Sequence, residues 1–117
     1  MRHLTETQAI GALARGRGVE QLLVSEPTVV EWLTLSNDST GITLRRHRVW
    51  DVGSPDLTDV SEFPPVDPEE DHGEGMVLAT FTGGREALTG SVEHGARADR
   101  WVDEGMVQDE YADATDA

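Results

Sequence analysis

Two β-branched, apolar runs flank a cluster of turn formers between residues 28 and 52, and no other feature constrains the fold of this chain as strongly. The first run is TVVEWLTLS, residues 28–36, and the second is ITLRRHRVWDV, residues 42–52. Val, Ile, Thr and Trp suit a pleated, half-buried surface. Between the runs, NDSTG (37–41) is rich in residues that bond their own backbone or tolerate tight dihedrals. Together they read as an antiparallel hairpin with a loop of about five residues, an allowed hairpin length. VEQLLVS, from Val19, is a further β-compatible run broken at Glu26-Pro27, and MVLATFT (76–82) is short, apolar and flanked by glycine.

Helical signals lie outside this block. Thr5-Glu6-Thr7-Gln8 fits a capping box, followed by Ala9, Ile10, Leu13 and Ala14 at helical spacing and stopped by Gly16 and Gly18. This predicts an amphipathic helix over about 5–15. REALTGSVEH predicts a second helix with Ala87, Leu88 and Val92 inward and Gly95 as its stop. RADRWVDEG reads as one or two more helical turns, with Trp101 and Val102 docked and Gly105 ending them. The acidic tail, 108–117, is expected to fray except where Val107 or Tyr111 packs back. Residues 53–75 hold four of the five prolines. There Leu57, Val60 and Phe63 suggest a short edge strand, and 64–75 an acidic, proline-rich loop. Helix, then strands, then helix is the pattern of a single α+β domain over 1–117: a small antiparallel sheet of four or five strands, an N-terminal helix and a C-terminal helical segment.

A rival reading covers 25–35. VSEPTVVEWL resembles the segment that opens the recognition helix of many helix-turn-helix proteins, with Ser25 as N-cap and Glu26-Pro27 in the first turn. ITLRRHRVW would then be a basic wing, and the chain a DNA- or RNA-binding regulator using 25–35 and 45–50. Against it, only VEQLLV is available for a second helix and turn, and Thr28, Val29, Val30 and Thr34 favour a strand.

Charge bounds the setting. There are 23 Asp and Glu against 9 basic residues, a net charge of −14, and all the basic residues are arginine. A lysine-free acidic surface suits molar salt, where the Debye length falls to about 3 Å and carboxylates scarcely repel. At low salt the same charge strains the compact state. The imbalance is confined to one half. Residues 1–55 hold six acids and six arginines, whereas 56–117 hold 17 acids and three arginines. Cysteine is absent, which excludes disulfides and thiolate metal sites. No run approaches the ~18 apolar residues of a membrane span. The N-terminus has no apolar core of a secretory signal. The expected setting is a salt-adapted cytoplasm, with no membrane partner.

No catalytic or cofactor motif is legible. His3, His47, His72 and His94 fall at no metal-ligand spacing, and DPEEDHGEG lacks the order of a calcium loop. Nucleophile-elbow, P-loop and dinucleotide fingerprints are missing. Asn37-Asp38-Ser39 reads as a turn. A small hydrolase or isomerase built on His47 or His94 is the weakest of the function classes, so no catalytic residue, metal or cofactor is assigned.

The remaining feature is Arg45-Arg46-His47-Arg48. On a strand, Ile42, Leu44, Arg46, Arg48 and Trp50 share one face and Thr43, Arg45, His47, Val49 and Asp51 the other. Ile42, Leu44 and Trp50 mark the first face as core, yet two arginines sit on it. Either a bulge shifts the register there, or that face is open. The candidate binding residues are Arg45, Arg46, His47, Arg48 and Trp50, with Arg15 and Arg17. Three roles compete: pairing with the chain's own acidic half, a protein interface that includes a homodimer, or phosphate contacts with Trp50 or Trp32 stacking on bases. The protein-interaction or regulatory module is the leading reading, because phosphate binding weakens steeply with salt.

Finally, Asp99-Arg100-Trp101-Val102, Glu104-Gly105 and Asp109-Glu110-Tyr111 give the C-terminal third a resemblance to small, functionally unassigned proteins of halophilic archaea. The resemblance implies a compact cytosolic domain and assigns no residue a role.

Overall fold

The computed structural model describes residues 3–23, 28–38, 41–53, 60–66 and 75–115. Helix α1 (Glu6–Ala14) is followed by strands β1 (Val19–Leu22), β2 (Val29–Asp38), β3 (Gly41–Trp50) and β4 (Met76–Phe81). Helix α2 (Gly84–Ser91), the short strand β5 (Val102–Asp103) and helix α3 (Val107–Thr115) follow among the described residues. The five strands form one antiparallel sheet in the order β4-β3-β2-β1-β5. The architecture is the expected α+β arrangement.

Local chemistry accounts for the elements. Gln8 N–H donates to Thr5 Oγ1 at 3.1 Å and Thr5 N–H to Gln8 Oε1 at 2.9 Å, closing both halves of the capping box. The other end of α1 is held from the sheet, where Asn37 Nδ2 donates to the Leu13 carbonyl at 2.7 Å. Asn37 is thus the penultimate residue of β2 rather than a turn residue, since β2 and β3 stay paired out to Asp38 opposite Gly41. At Gly41, φ is +129° and a Cβ would lie 2.6 Å from the Phe81 carbonyl oxygen, so only glycine fits.

Both sheet faces are covered, by different elements. On one face Val19, Leu33, Leu35, Ile42 and Leu44 pack with Ala9, Ala12 and Leu13 of α1, Ala87 and Leu88 of α2, and Trp101. On the other, Val30, Trp32 and Val49 pack with Val60, Phe63, Val107 and Tyr111. Tyr111 Oη donates to Asp51 Oδ1 at 2.5 Å, and burial first, then Asp51, pushes the phenol pKa up to about 12. Glu20 caps α3 from β1, accepting from Gly105 N–H at 2.9 Å and Val107 N–H at 3.2 Å.

Several expectations are corrected. Residues 29–38 form β2, so the helix-turn-helix does not form, as the β-branched run favours. Trp101 and Val102 dock as expected, but through strand β5 on β1 rather than a helical turn. The tail is helical to Thr115, because Val107 and Tyr111 anchor it and Glu20 caps it. Val60 and Phe63 are buried through a 3-10 turn, Val60–Glu62, rather than an edge strand; Leu57 lies outside the described residues. Ala12 rather than Ala14 faces the core, and Val92 is exposed. Of the acidic loop, Pro64–Val66 pairs with β3: Trp50 N–H donates to the Pro64 carbonyl and Val66 N–H to the Arg48 carbonyl. The rest, 67–74, lies outside the described residues.

Candidate functional site

The β2–β3 register is unbroken from Val29 opposite Trp50 to Asp38 opposite Gly41. Directly opposed residues of an antiparallel pair share a face. Leu33, Glu31 and Val29 therefore lie beside Arg46, Arg48 and Trp50, on the face that α1 and α2 cover farther along. The arginines are not turned inward by a bulge in β3. A bulge does occur at this level, but Leu78 of β4 is the extra residue.

Among the described residues, α1 and α2 are shorter than the strands they pack on. Helices of nine and eight residues span about 13 and 12 Å at 1.5 Å per residue. The ten-residue strands beneath span about 33 Å. At the Arg46–Trp50 end of this face Leu33 and Val29 are still buried, whereas Trp50 is 44% exposed.

At this end, among the described residues, one carboxylate faces two guanidiniums. Glu31 Oε1 lies 3.6 Å from Arg46 Nε, and Oε2 lies 3.7 Å from Arg48 Nε. These are ion pairs longer than good hydrogen bonds, and the three groups sum to one positive charge. Arg48 Nε has no hydrogen-bond acceptor among the described residues. Arg46 Nη2 lies 3.9 Å from Met76 Sδ, and Met76 is 48% exposed. The site is thus Arg46, Arg48 and Trp50, with Glu31 and Met76. The last two were missed in the sequence because cross-strand register alone brings them in.

The other candidates lie elsewhere. Arg45 is on the opposite face, where its Nη1 donates to Ser36 Oγ at 3.2 Å. His47 is buried there, 7% exposed, in face-to-face contact with Trp32 and 3.2 Å from Thr34 Oγ1 through Nε2. Burial first, then the Arg45 charge, lowers its pKa to about 4. His47 is neutral at neutral pH and shielded from solvent, a core residue rather than a ligand-facing one. Gly75, at φ +72°, backs onto the ring, where a Cβ would meet Cε1 at 2.8 Å.

Arg15 and Arg17 are exposed in the turn after α1, at the end of the sheet where Asn37 reaches Leu13. The Glu31–Arg48 pair lies six positions along from Asn37–Ile42, about 20 Å away. The structure therefore unites Arg46, Arg48 and Trp50 and separates them from Arg15, Arg17, Arg45 and His47. Among the described residues, the partner of Arg46 and Arg48 is Glu31, from the neutral half of the chain rather than the acidic half.

Among the described residues no group of three His, Cys, Asp or Glu is placed to hold a metal ion, and no helix is long and apolar enough to cross a membrane. Comparisons with protein-family models, curated proteins and solved structures give no match to this chain.

Proposed function

We propose that this chain is a non-enzymatic interaction module of a salt-adapted cytoplasm that binds a protein partner through the Arg46–Trp50 end of its helix-covered sheet face. The observation that carries the reading is the cluster itself: two guanidiniums sharing one carboxylate, bordered by the exposed Trp50 and Met76. Arg, Trp and Met are the residue types enriched at the centres of protein interfaces. Among the described residues each arginine has Glu31 as a distant carboxylate, a geometry that keeps donors for a partner's carboxylate or backbone carbonyl. The lysine-free composition and the charge of −14 support a salt-rich setting. At about 1 M salt long-range steering is lost, so recognition rests on contact: apolar burial of Trp50 and short, partly desolvated arginine bonds.

The test is charge reversal. Arg46→Glu with Arg48→Glu is expected to abolish association with a partner other than a second copy of the chain, while the far-UV circular dichroism spectrum in molar KCl is unchanged. Association that survives the double change places the interface elsewhere.

A further inference from the structure

The two edges of the sheet are built differently. The β5 edge is two residues long, Val102–Asp103, and charged residues, Arg100 and Glu104, stand close on either side of it. A short, charged edge is a usual protection against strand pairing. The β4 edge is six residues, Met76–Phe81, at the far end of the sheet. It lies within residues 75–84, the longest uncharged stretch of a chain that is 27% charged. It contains neither proline nor an inward charge. Val77 is 55% exposed and Thr80 is also exposed, both on the face away from α1 and α2, opposite Arg45 and Thr43. Among the described residues no backbone group pairs with the outer side of β4. Its single blunting device is the bulge at Leu78, which twists a ladder without abolishing it.

We propose that β4 is the seam of a homodimer, in which the β4 strands of two copies pair antiparallel and join their sheets into one. Self-complementarity selects a second copy as the occupant, and charge sets where the two copies meet. Two chains of −14 repel over most of their surfaces, and an uncharged edge is where they approach at least electrostatic cost. An antiparallel strand is complementary to itself across a two-fold axis, which closes the assembly at two chains. The joined sheet sets Val77 and Thr80 of one copy beside those of the other. Backbone bonds and apolar contact, rather than ion pairs, hold the seam. Dimerisation therefore strengthens as salt screens the net charge, the opposite of an interface held by charge pairs. This seam meets the Arg46–Arg48 face at Met76 and otherwise runs along residues that the face does not use.

The experiment is sedimentation of the full chain in molar KCl from micromolar to millimolar concentration, with amide hydrogen exchange read over residues 76–81. The expected result is a two-chain mass whose population grows with KCl, and slowing of β4 exchange as concentration rises. Val77→Lys with Thr80→Lys is expected to weaken the dimer by about a hundredfold or more, since lysine blunts a strand edge. Val92→Lys, at an exposed residue off the strand, leaves the dimer intact. A one-chain mass throughout, with β4 exchange independent of concentration, overturns the proposal. So does a dimer that the two lysines leave intact. If the lysine variant fails to fold, the concentration dependence of exchange in the unaltered chain decides.

Discussion

Trp32 and His47 stack across the β2–β3 pair, with ring centroids 4.9 Å apart and planes 4° from parallel. The contact takes the one histidine of the arginine-rich stretch out of solvent and makes it part of the second core. Its basicity becomes a property of the fold rather than of a binding surface.

A pH dependence follows. His47 has a pKa of about 4 in the fold against 6.5 when free. Between these values the unfolded chain takes up the proton more readily, so folding is favoured above about pH 6.5 and loses support as pH falls toward 4. The shift corresponds to about 3 kcal/mol at most. Denaturant unfolding in molar KCl is expected to weaken over this range. His47→Phe, which keeps a stacking ring and takes up no proton, flattens that part of the profile. A His47 ring titrating near its ordinary value by NMR would contradict the burial argument.

The Glu31 ion pairs are expected to matter little for stability. Their long distances and the partial exposure of both arginines place them among surface pairs, worth roughly 0–1 kcal/mol and less in molar salt. Arg46→Gln, Arg48→Gln and Glu31→Gln should each shift the denaturation midpoint only slightly. A large loss in any of them would make the cluster structural rather than functional.

Glu20 is expected to hold α3 in place. A nine-residue helix is marginal alone, and this one is held by its buried face and by the Glu20 carboxylate at its first turn. Burial raises the Glu20 pKa against the lowering effect of the Gly105 and Val107 N–H groups. Glu20→Ala should cost about 1–3 kcal/mol, the usual range for losing bonds to a charged group. Hydrogen exchange over 107–115 should accelerate with it. Unchanged exchange there would show that packing of Val107 and Tyr111 suffices.

Salt dependence tests the composition. The thermal midpoint should rise with KCl as screening relieves the repulsion among 23 acidic residues. Equal stability at low salt would remove the argument for a salt-rich setting.

The hairpin, the capping box and the core-facing residues Leu13, Leu33, Leu35, Ile42 and Leu44 were legible because each rests on local chemistry or simple periodicity. The register was not. A five-residue loop would pair Ser36 with Ile42, whereas Asn37 takes that position. A slip of one residue exchanges the faces. It would set Glu31 opposite His47 instead of Arg48, and the ion-paired cluster could not be read. The role of 101–115 was hidden for a similar reason. Strand β5 is too short to show a period, and α3 depends on Glu20, 87 residues before Val107. The exposure of Trp50 beside the buried Val29 and Leu33 is likewise a matter of what packs on the sheet, which only assembly reveals.

The most direct measurement of the central claim is capture of partners by the tagged chain from a salt-rich native lysate kept in molar KCl, beside the Arg46→Glu, Arg48→Glu variant. The eluate is read by mass spectrometry and by its 260/280 nm absorbance ratio. The account predicts a stoichiometric protein with a low ratio, retained by the unaltered chain and lost from the variant. A nuclease-sensitive high ratio, or a protein other than the chain itself retained equally by both, would contradict it.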